Sequence, residues 1–170
     1  MAEHALVQLA RRTVEQFVRE GKVLAATHQL DDLGRMRAGA FVSLHHNGHL
    51  RGCIGTIEPV RADLEQEIIH NAIAAATQDP RFLPVRADEL DGLEISVDVL
   101  GAPEAVETVE ELDPQIYGVI VQRGKRRGLL LPDLEGVESA QQQIDIALSK
   151  AGIGRGEPYR LYRFRVDRYH

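Results

Sequence analysis

The chain is short of the features that mark secreted, membrane-spanning and nucleic-acid-binding proteins. It contains a single cysteine, which excludes an internal disulfide and agrees with a reducing, cytoplasmic location. No apolar run approaches the roughly 20 residues that a membrane span needs. The N-terminus, with Glu3 and His4, lacks the basic and apolar regions of a secretory signal. The net charge of −6 argues against a general nucleic-acid binder.

What the chain does contain is the composition of an ordinary globular protein. Its 170 residues are 44% apolar and 27% charged, enough for one domain with a sizeable core, or for one core with a small appended lobe. Most of the 20 basic residues are arginine, whose planar fork of donors suits carboxylates and phosphates. A local site for a small anionic ligand is therefore one interpretation of the arginine clusters. Solvated hairpin tips and strand edges are the favoured alternative. The clusters are Arg123, Lys125, Arg126 and Arg127, and then Arg160, Arg163, Arg165 and Arg168.

Three segments carry the pattern of amphipathic helices, with apolar side chains three and four residues apart. Each also has a boundary signal, such as a capping serine or aspartate before its first turn or a glycine after its last. The predicted helices run from Glu3 to Glu20, ended by Gly21; from Asp63 to about Thr77, ended before Pro80; and from Ser139 to Gly152.

Other segments alternate between apolar and polar side chains, as half-buried strands do. Residues 22–39 and 102–114, in contrast, are predicted to be irregular. Strands joined by hairpins and interspersed with helices predict an α+β fold with a largely antiparallel β-sheet and about three helices. The predicted strands are two hairpins, 40–46 with 49–54 and 117–122 with 128–131, and two single strands, 93–100 and 159–166.

Asn47-Gly48 is the turn of the first predicted hairpin, because a type I′ turn needs φ > 0 at both central residues. Pairing across this turn places Val42 opposite Cys53 and Leu44 opposite Arg51. Side chains alternate between the faces of a strand, so Arg51 and Cys53 are predicted to lie side by side on one face. The apolar side chains predicted to face the core from the other side are Phe41, Leu50 and Ile54.

Cys53 is the candidate nucleophile of this stretch. A nucleophilic cysteine needs a lowered pKa and a base, and Arg51 could favour the thiolate. A half-buried cysteine that only packs is the common alternative. Gly52 and Gly55 indicate special backbone geometry around Cys53, which a cysteine that only packs would not need. Both interpretations stay open at this point.

The histidines near the turn do not form a metal site with Cys53. His49 and Cys53 are four residues apart on one strand, so about 13 Å separates their Cα atoms. Zinc holds its ligands at about 2.0–2.3 Å. His46 and His49 face each other at the hairpin tip, where histidines are usually solvated. The sequence therefore predicts no metal ligands and no cofactor.

Glu94, Ser96 and Asp98 form a polar row on one face of the strand at 93–100. The two carboxylates lie about 13 Å apart along the strand, too far for a coupled acid–base pair. Solvation of this face is the favoured interpretation. The alternative is that one of these side chains acts near Cys53, which requires neighbouring strands.

Asp79-Pro80-Arg81-Phe82 predicts a turn that ends the second helix, because the residue before proline is disfavoured in the α region. Asp79 can cap backbone donors in such a turn, and Arg81 can pair with a carboxylate. We interpret the turn as mainly structural, with Arg81 as a secondary candidate for a binding cleft.

Leu50-Arg51-Gly52-Cys53-Ile54-Gly55-Thr56 resembles the signature of the AMMECR-type domain family, called AmmeMemoRadiSam system protein A in prokaryotes. The resemblance spans nearly the whole chain. It implies a single domain over residues 1–170, with a larger α/β lobe, a smaller subdomain inserted in it, and a cleft bordered by the signature. The further matching stretches are Asn71-Ala72, Asp79-Pro80-Arg81-Phe82, Glu94-Ile95-Ser96, Gly128-Leu129-Leu130-Leu131-Pro132 and Lys150-Ala151-Gly152.

The chain departs from the family pattern at two places. Asp133-Leu134 stand where many relatives have Gln-Val followed by a tryptophan, and this chain has no tryptophan. Ser149 stands where many relatives have a cysteine. A mechanism that needs a second cysteine or an aromatic platform there does not apply to this chain.

The resemblance implies no settled biochemical activity. Prokaryotic genes of the family often accompany those of a Memo-type protein and a radical SAM protein, so these are the implied partners. We interpret the chain as a binding or accessory protein that acts with them through a cleft lined by the motif at residues 51–55. The alternative is an enzyme in which Cys53 is the nucleophile and Arg51 binds an anionic small-molecule substrate. The candidate binding residues are Gly52, Gly55, Thr56, Asn71, Arg81, Glu94 and Ser96.

Overall fold

The structure is a computed structural model that describes residues 2–26 and 30–170. It divides into two compact units, the first made of Met1–Leu100 with Asp167–His170 and the second of Gly101–Val166. The helices are α1 (Ala5–Glu20), α2 (Asp32–Arg35), α3 (Leu64–Thr77) and α4 (Ala140–Ala151), with 3₁₀ turns at Ala87–Gly92 and Val109–Glu111. The strands are β1 (Ala40–His46), β2 (His49–Gly55), β3 (Leu93–Leu100), β4 (Glu104–Val106), β5 (Tyr117–Arg123), β6 (Arg126–Leu130) and β7 (Arg160–Tyr169).

The three predicted helices are confirmed as α1, α3 and α4. Asp63 and Ser139 accept hydrogen bonds from backbone N–H groups in the first turns of α3 and α4. Gly21 and Gly152 end α1 and α4 in the left-handed conformation, with φ of 67° and 68°. Within the described part of the chain, no helix has both the length and the apolar character needed to cross a bilayer.

A short α-helix and a short strand, besides the 3₁₀ turn Val109–Glu111, lie in segments that were predicted to be irregular. The helix α2 lies within residues 22–39, of which 27–29 are outside the described residues. The strand β4 lies within residues 102–114 and pairs with β7. A three-residue strand has too few residues for an alternating pattern, and its partner is distant in the sequence, so local patterning does not reveal it.

The first unit is a β-sheet with helices on one face. The strand β1 pairs antiparallel with β2 on one side and with β3 on the other. The helix α3 packs on β1 and β2, and α1 packs on α3 and β3. Val42 and Leu44 of β1 are fully buried in this core with Ile68 and Ala72 of α3. The opposite face of β1 therefore carries Phe41, Ser43 and His45.

The predicted register of the first hairpin is correct for the pairs His46–His49 and His45–Leu50 and wrong beyond them. A β-bulge between Leu44 and His45 places Arg51 as an extra residue in β2, so Cys53 lies opposite Ser43. One extra residue moves every later side chain to the other face of the strand. The core contacts explain this register. Val42 and Leu44 face α3, whereas Phe41, which was predicted to face the core, lies on the opposite face of the sheet.

The second unit is built on an antiparallel sheet in the order β4, β7, β5, β6. The helix α4 packs on β5 and β6. Val119 and Val121 of β5 are buried with Ile144 and Ala147 of α4. With antiparallel pairing in both units, the predicted α+β fold with a largely antiparallel sheet is confirmed.

Candidate functional site

Cys53 belongs to a row of small polar side chains that crosses the sheet of the first unit. Its side chain is half-buried, and its Sγ lies 3.2 Å from Ser43 Oγ on β1. Ser43 in turn lies opposite Ser96 on β3. The row therefore lies on the sheet face away from α3, and Ser96 approaches Cys53 only through the intervening strand.

The thiol of Cys53 is not activated by its surroundings. Burial raises the pKa of the Cys53 thiol, while the hydrogen bond with Ser43 and the charge of Arg81 oppose that shift. The carboxylates of Asp98 and Asp79 add to the increase in pKa. A nucleophilic cysteine needs the opposite shift, so the environment keeps the thiol protonated near neutral pH.

Asp79 and Arg81 bind the backbone of Cys53 at the outer edge of the sheet. Asp79 Oδ2 accepts a hydrogen bond from Cys53 N at 3.0 Å, and Arg81 Nη2 donates to Cys53 O at 3.5 Å. Because β2 is the edge strand, the two side chains take the place that a further strand would occupy. The predicted roles of Asp79 as a cap and of Arg81 as the partner of a carboxylate are both confirmed.

The ion pair between Asp79 and Arg81 is itself well formed. Arg81 donates from Nη2 to Oδ2 at 2.8 Å and from Nε to Oδ1 at 3.0 Å, and its backbone N–H also donates to Oδ1. Arg81 therefore holds the pKa of the buried Asp79 carboxyl well below its usual range. The Arg81 side chain remains 55% exposed, so it carries an accessible charge beside Cys53.

Arg51 does not lie beside the Cys53 thiol as predicted. Its guanidinium donates to both carboxylate oxygens of Glu89, from Nε at 2.8 Å and from Nη2 at 3.1 Å. It also donates to the carbonyl oxygens of Leu83 at 2.8 Å and Pro84 at 3.3 Å. This pairing lowers the pKa of Glu89 to about 2. Arg51 thus fixes the segment Asp79–Glu89. Because Arg51 is the extra residue of the β-bulge, it does not lie beside the Cys53 thiol as the predicted register required.

The two glycines of the motif are explained by close packing. A Cβ atom on Gly52 would overlap the carbonyl oxygen of Ala75 in α3, and one on Gly55 would overlap the ring of Phe41. Only a glycine lets α3 approach β2 at this distance. The special geometry that the sequence indicated is therefore a packing requirement, between helix and sheet at Gly52 and against the neighbouring strand β1 at Gly55.

Thr56 and Asn71 take part in a buried polar network at the end of the hairpin. Asn71 Nδ2 donates to Ala40 O at 2.9 Å and to Thr56 Oγ1 at 3.2 Å, and Thr56 Oγ1 donates to Glu67 Oε2 at 2.9 Å. The other oxygen of Glu67 accepts backbone hydrogen bonds from Val60 at 2.8 Å and from residue 61 at 3.1 Å. Thr56 and Asn71 therefore hold the loop that follows β2 against α3.

The polar row of β3 is not uniformly solvated, which corrects the favoured interpretation. Glu94 is exposed and lies opposite His45, whereas Ser96 is half-buried. Asp98 is buried and accepts hydrogen bonds from Arg168 at 2.7 and 2.9 Å. The buried charge is tolerated because a bidentate arginine pairs with it, and this partner is distant in the sequence.

Sequence reasoning missed three residues that shape the site, namely Ser43, Glu67 and Glu89. Ser43 was missed because the predicted register paired Cys53 with Val42 instead. One sequence feature could have identified Glu67, namely its position on the apolar side of α3, directly before Ile68 and Ile69. Among the described residues no three histidine, cysteine or carboxylate side chains come together as metal ligands.

Comparisons with known proteins agree with this architecture. Residues 7–169 match the sequence profile of the AMMECR1 family. A Thermotoga maritima protein is 52% identical over 172 residues, covering 99% of both chains. A Clostridium acetobutylicum protein is 48% identical over 168 residues, which are 96% of this chain and 35% of that protein. The crystal structure of the uncharacterized protein PH0010 from Pyrococcus horikoshii superposes with a TM-score of 0.89 at 31% identity, covering 96% of this chain and 88% of that one.

Proposed function

This chain belongs to the AMMECR1 family, and from that membership we propose that it is a binding or accessory protein whose contact surface is the segment Asp79–Glu89. The proposed partners are a Memo-type protein and a radical SAM protein. The motif at residues 51–55 serves this function indirectly, because Arg51 and the backbone of Cys53 hold the segment in place. The cleft implied by the family resemblance stays a prediction.

The observation that carries the proposal is the exposure of Leu83 on a firmly held segment. Leu83 is 83% exposed as a residue, although its own carbonyl oxygen is bound by Arg51 at 2.8 Å. Two residues later, Val85 is buried and donates from its backbone to Ala76 O at 2.8 Å. The backbone therefore has fixed contacts on both sides of an apolar side chain that points to solvent.

A leucine presented in this way suits recognition by another protein. The apolar area of an exposed leucine is removed from water on binding, which contributes about 1.5–3 kcal/mol when burial is complete. Because the segment is already ordered, little conformational entropy is lost when a partner covers it. Leu83 is thus a suitable central anchor for an interface.

The neighbours of Leu83 indicate the chemistry of the partner. Arg81 and Arg86 are exposed on either side of it, and the Arg81 guanidinium lies 5.4 Å from the centre of the Phe82 ring. Arginine and aromatic side chains are enriched in protein interfaces. We therefore expect the partner to offer an apolar pocket for Leu83 with acidic side chains at its rim.

The same site gives less support to a cysteine enzyme. Burial raises the pKa of the Cys53 thiol, and its side-chain hydrogen bond goes to Ser43 instead of a histidine base. Arg51, the proposed binder of an anionic substrate, is already bound to Glu89 and two carbonyl groups.

The proposal is tested by measuring the affinity of the purified chain for the Memo-type and radical SAM proteins of the same genome, by isothermal titration calorimetry. We expect one of them to bind the wild-type chain. Leu83→Asp places a charge where the pocket is apolar and should raise Kd by about tenfold or more.

Val60→Asp is the matched control, because Val60 is another apolar side chain of the same unit and is 64% exposed. It should leave Kd unchanged within about twofold, since a substitution outside an interface costs little binding energy. Absence of binding by both proteins, or equal losses for Val60→Asp and Leu83→Asp, would contradict the proposal.

A further inference from the structure

One end of the second unit carries more positive than negative side chains. Arg123 and Arg126 flank the turn between β5 and β6, with Lys125 between them, and Arg160 begins β7. Glu157 forms ion pairs with the two strand-end arginines, at 3.7 Å from Arg123 and 3.1 Å from Arg126. Of these four cationic side chains, Arg123 and Arg126 therefore share one carboxylate.

Arg160 differs from the other arginines of this group. Arg123 donates to Pro158 O at 3.0 Å, and Arg126 donates to Gly152 O at 2.7 Å. Over residues 2–26 and 30–170, no carboxylate lies within ion-pair distance of the Arg160 guanidinium, and no hydrogen bond engages it. Its donors are therefore available to a ligand.

A groove of about 450 Å³ opens next to Arg160. Arg160 lies opposite Gln122 across β7 and β5, and Arg123 also lines the groove. Ligand sites in proteins have volumes of about 300–1,000 Å³, so the groove is large enough for a small molecule. The lining residues are Gln122, Arg123, Gly124, Pro158, Tyr159 and Arg160.

A second groove adjoins the first and has apolar side chains in its lining. Its volume is about 580 Å³, and Tyr159 and Arg160 line both grooves. Val109 and Leu161 contribute apolar surface to it, and Glu107 is its acidic side chain. A negative group would therefore be favoured at the arginines of the first groove and disfavoured beside Glu107 in the second.

We propose that these joined grooves bind a small molecule made of an oxyanion and a planar apolar body. The fork of Arg160 would donate to two oxygens of a phosphate or carboxylate, as arginine does in charge-assisted pairs. The apolar body would lie on the exposed ring of Tyr159 and extend toward Val109. This site lies in the second unit and shares no residue with the protein-binding surface proposed above.

The experiment is a titration of the full chain, followed by ¹H–¹⁵N correlation spectra at constant ionic strength. The probes are phenyl phosphate, benzoate and benzyl alcohol, which share an aromatic body and differ in the polar group. We expect saturable shifts at Gly124 and Tyr159 with one or both anions and none with benzyl alcohol. The anion that binds more tightly identifies the oxyanion as a phosphate or a carboxylate.

Variants locate the binding. Arg160→Gln should raise Kd about tenfold, the effect of losing one charge-assisted pair, and Arg160→Lys, which keeps the charge without the fork, should have an intermediate Kd. Arg155→Gln is the control, because Arg155 is an exposed arginine of the same unit that lies near Asp145 and outside the grooves. Shifts that do not saturate, or equal effects of Arg155→Gln and Arg160→Gln, would overturn the proposal.

Discussion

Ser43 lies directly opposite Cys53 across β1 and β2, with 3.2 Å between its Oγ and the cysteine Sγ. This pairing exists because Arg51 occupies a bulge that moves Cys53 one position along β1. The hydroxyl is the side-chain group that favours the thiolate most, but burial outweighs it and the pKa of the thiol is raised. The serine thus moderates a thiol that remains a poor nucleophile.

The first prediction concerns the rate at which iodoacetamide alkylates Cys53 as a function of pH. The midpoint for the wild-type chain should lie above the value of about 8.5 for a free cysteine. Ser43→Ala removes a hydrogen bond that lowers the pKa of Cys53, so its midpoint should lie higher still. Ser149→Ala, at an exposed position of the other unit, should leave the midpoint unchanged. A wild-type midpoint near neutral pH would show that the thiol is activated after all.

The second prediction concerns the stability supplied by Arg51. Arg51→Ala leaves the half-buried carboxylate of Glu89 and the carbonyl groups of Leu83 and Pro84 without their donor. We expect the free energy of unfolding to fall by about 2–3 kcal/mol. Arg51→Lys keeps the charge without the planar fork and should lose roughly 1 kcal/mol. Urea unfolding followed by circular dichroism measures both changes.

Arg86→Ala is the matched control for Arg51→Ala. Arg86 also interacts with a carboxylate, at 3.2 Å from Asp88, but both side chains are largely exposed. Exposed pairs contribute at most about 1 kcal/mol, so this variant should be nearly as stable as the wild type. If Arg86→Ala lowered the free energy of unfolding as much as Arg51→Ala, the position of an ion pair in the fold would not decide how much it stabilises the protein.

The third prediction concerns acid. Arg51 lowers the pKa of Glu89 to about 2 from its usual value of 4.5, and Arg81 likewise lowers the pKa of Asp79. A lowered pKa means that the unfolded chain binds protons first, so the stabilisation is complete above the unfolded pKa and lost as pH falls through the folded one. For Glu89 that loss should occur between pH 4.5 and about 2.

Glu89→Gln tests this origin of the acid sensitivity, because an amide does not titrate in that range. The free energy of unfolding of the variant should be lower than that of the wild type at neutral pH and should fall less between pH 4.5 and 2. Asp88→Asn changes an exposed neighbouring carboxylate and should keep the wild-type pH dependence. Identical pH profiles for Glu89→Gln and the wild type would contradict the assignment.

The fourth prediction concerns the close approach of α3 to β2. Gly52→Ala introduces a Cβ that overlaps the Ala75 carbonyl oxygen, and a helix backbone does not yield as a flexible side chain would. We expect a loss of about 2–3 kcal/mol in the free energy of unfolding, as for an overpacked core. Urea unfolding of the variant measures the loss.

Gly101→Ala is the control for the change from glycine to alanine itself. The nearest atom to an added Cβ at Gly101, the Arg165 carbonyl oxygen, is 3.5 Å away, which is ordinary contact. The stability should therefore change by no more than about 1 kcal/mol, the effect that alanine has on the unfolded chain. Equal stabilities of Gly52→Ala and Gly101→Ala would indicate that α3 can move away from β2.

Local patterns were sufficient for the elements whose causes are local. The caps of α3 and α4 at Asp63 and Ser139, and the stops at Gly21 and Gly152, depend on residues within one helical turn. The turn at Asn47-Gly48, where both residues have positive φ, is equally local. The family signature was also readable without coordinates, since it is a run of adjacent residues.

The environment of the motif was not readable in the same way. The sequence alone determined the helices, the antiparallel hairpin, the family and the role of Asp79 and Arg81 as a paired turn. Only the tertiary structure decided that Cys53 faces Ser43 and that Arg51 binds Glu89, because a bulge is selected by the fit of β1 and β2 against α3. Packing between distant segments decides where the bulge forms, and the bulge decides on which face of the strand every later side chain lies. No local sequence pattern contains that information.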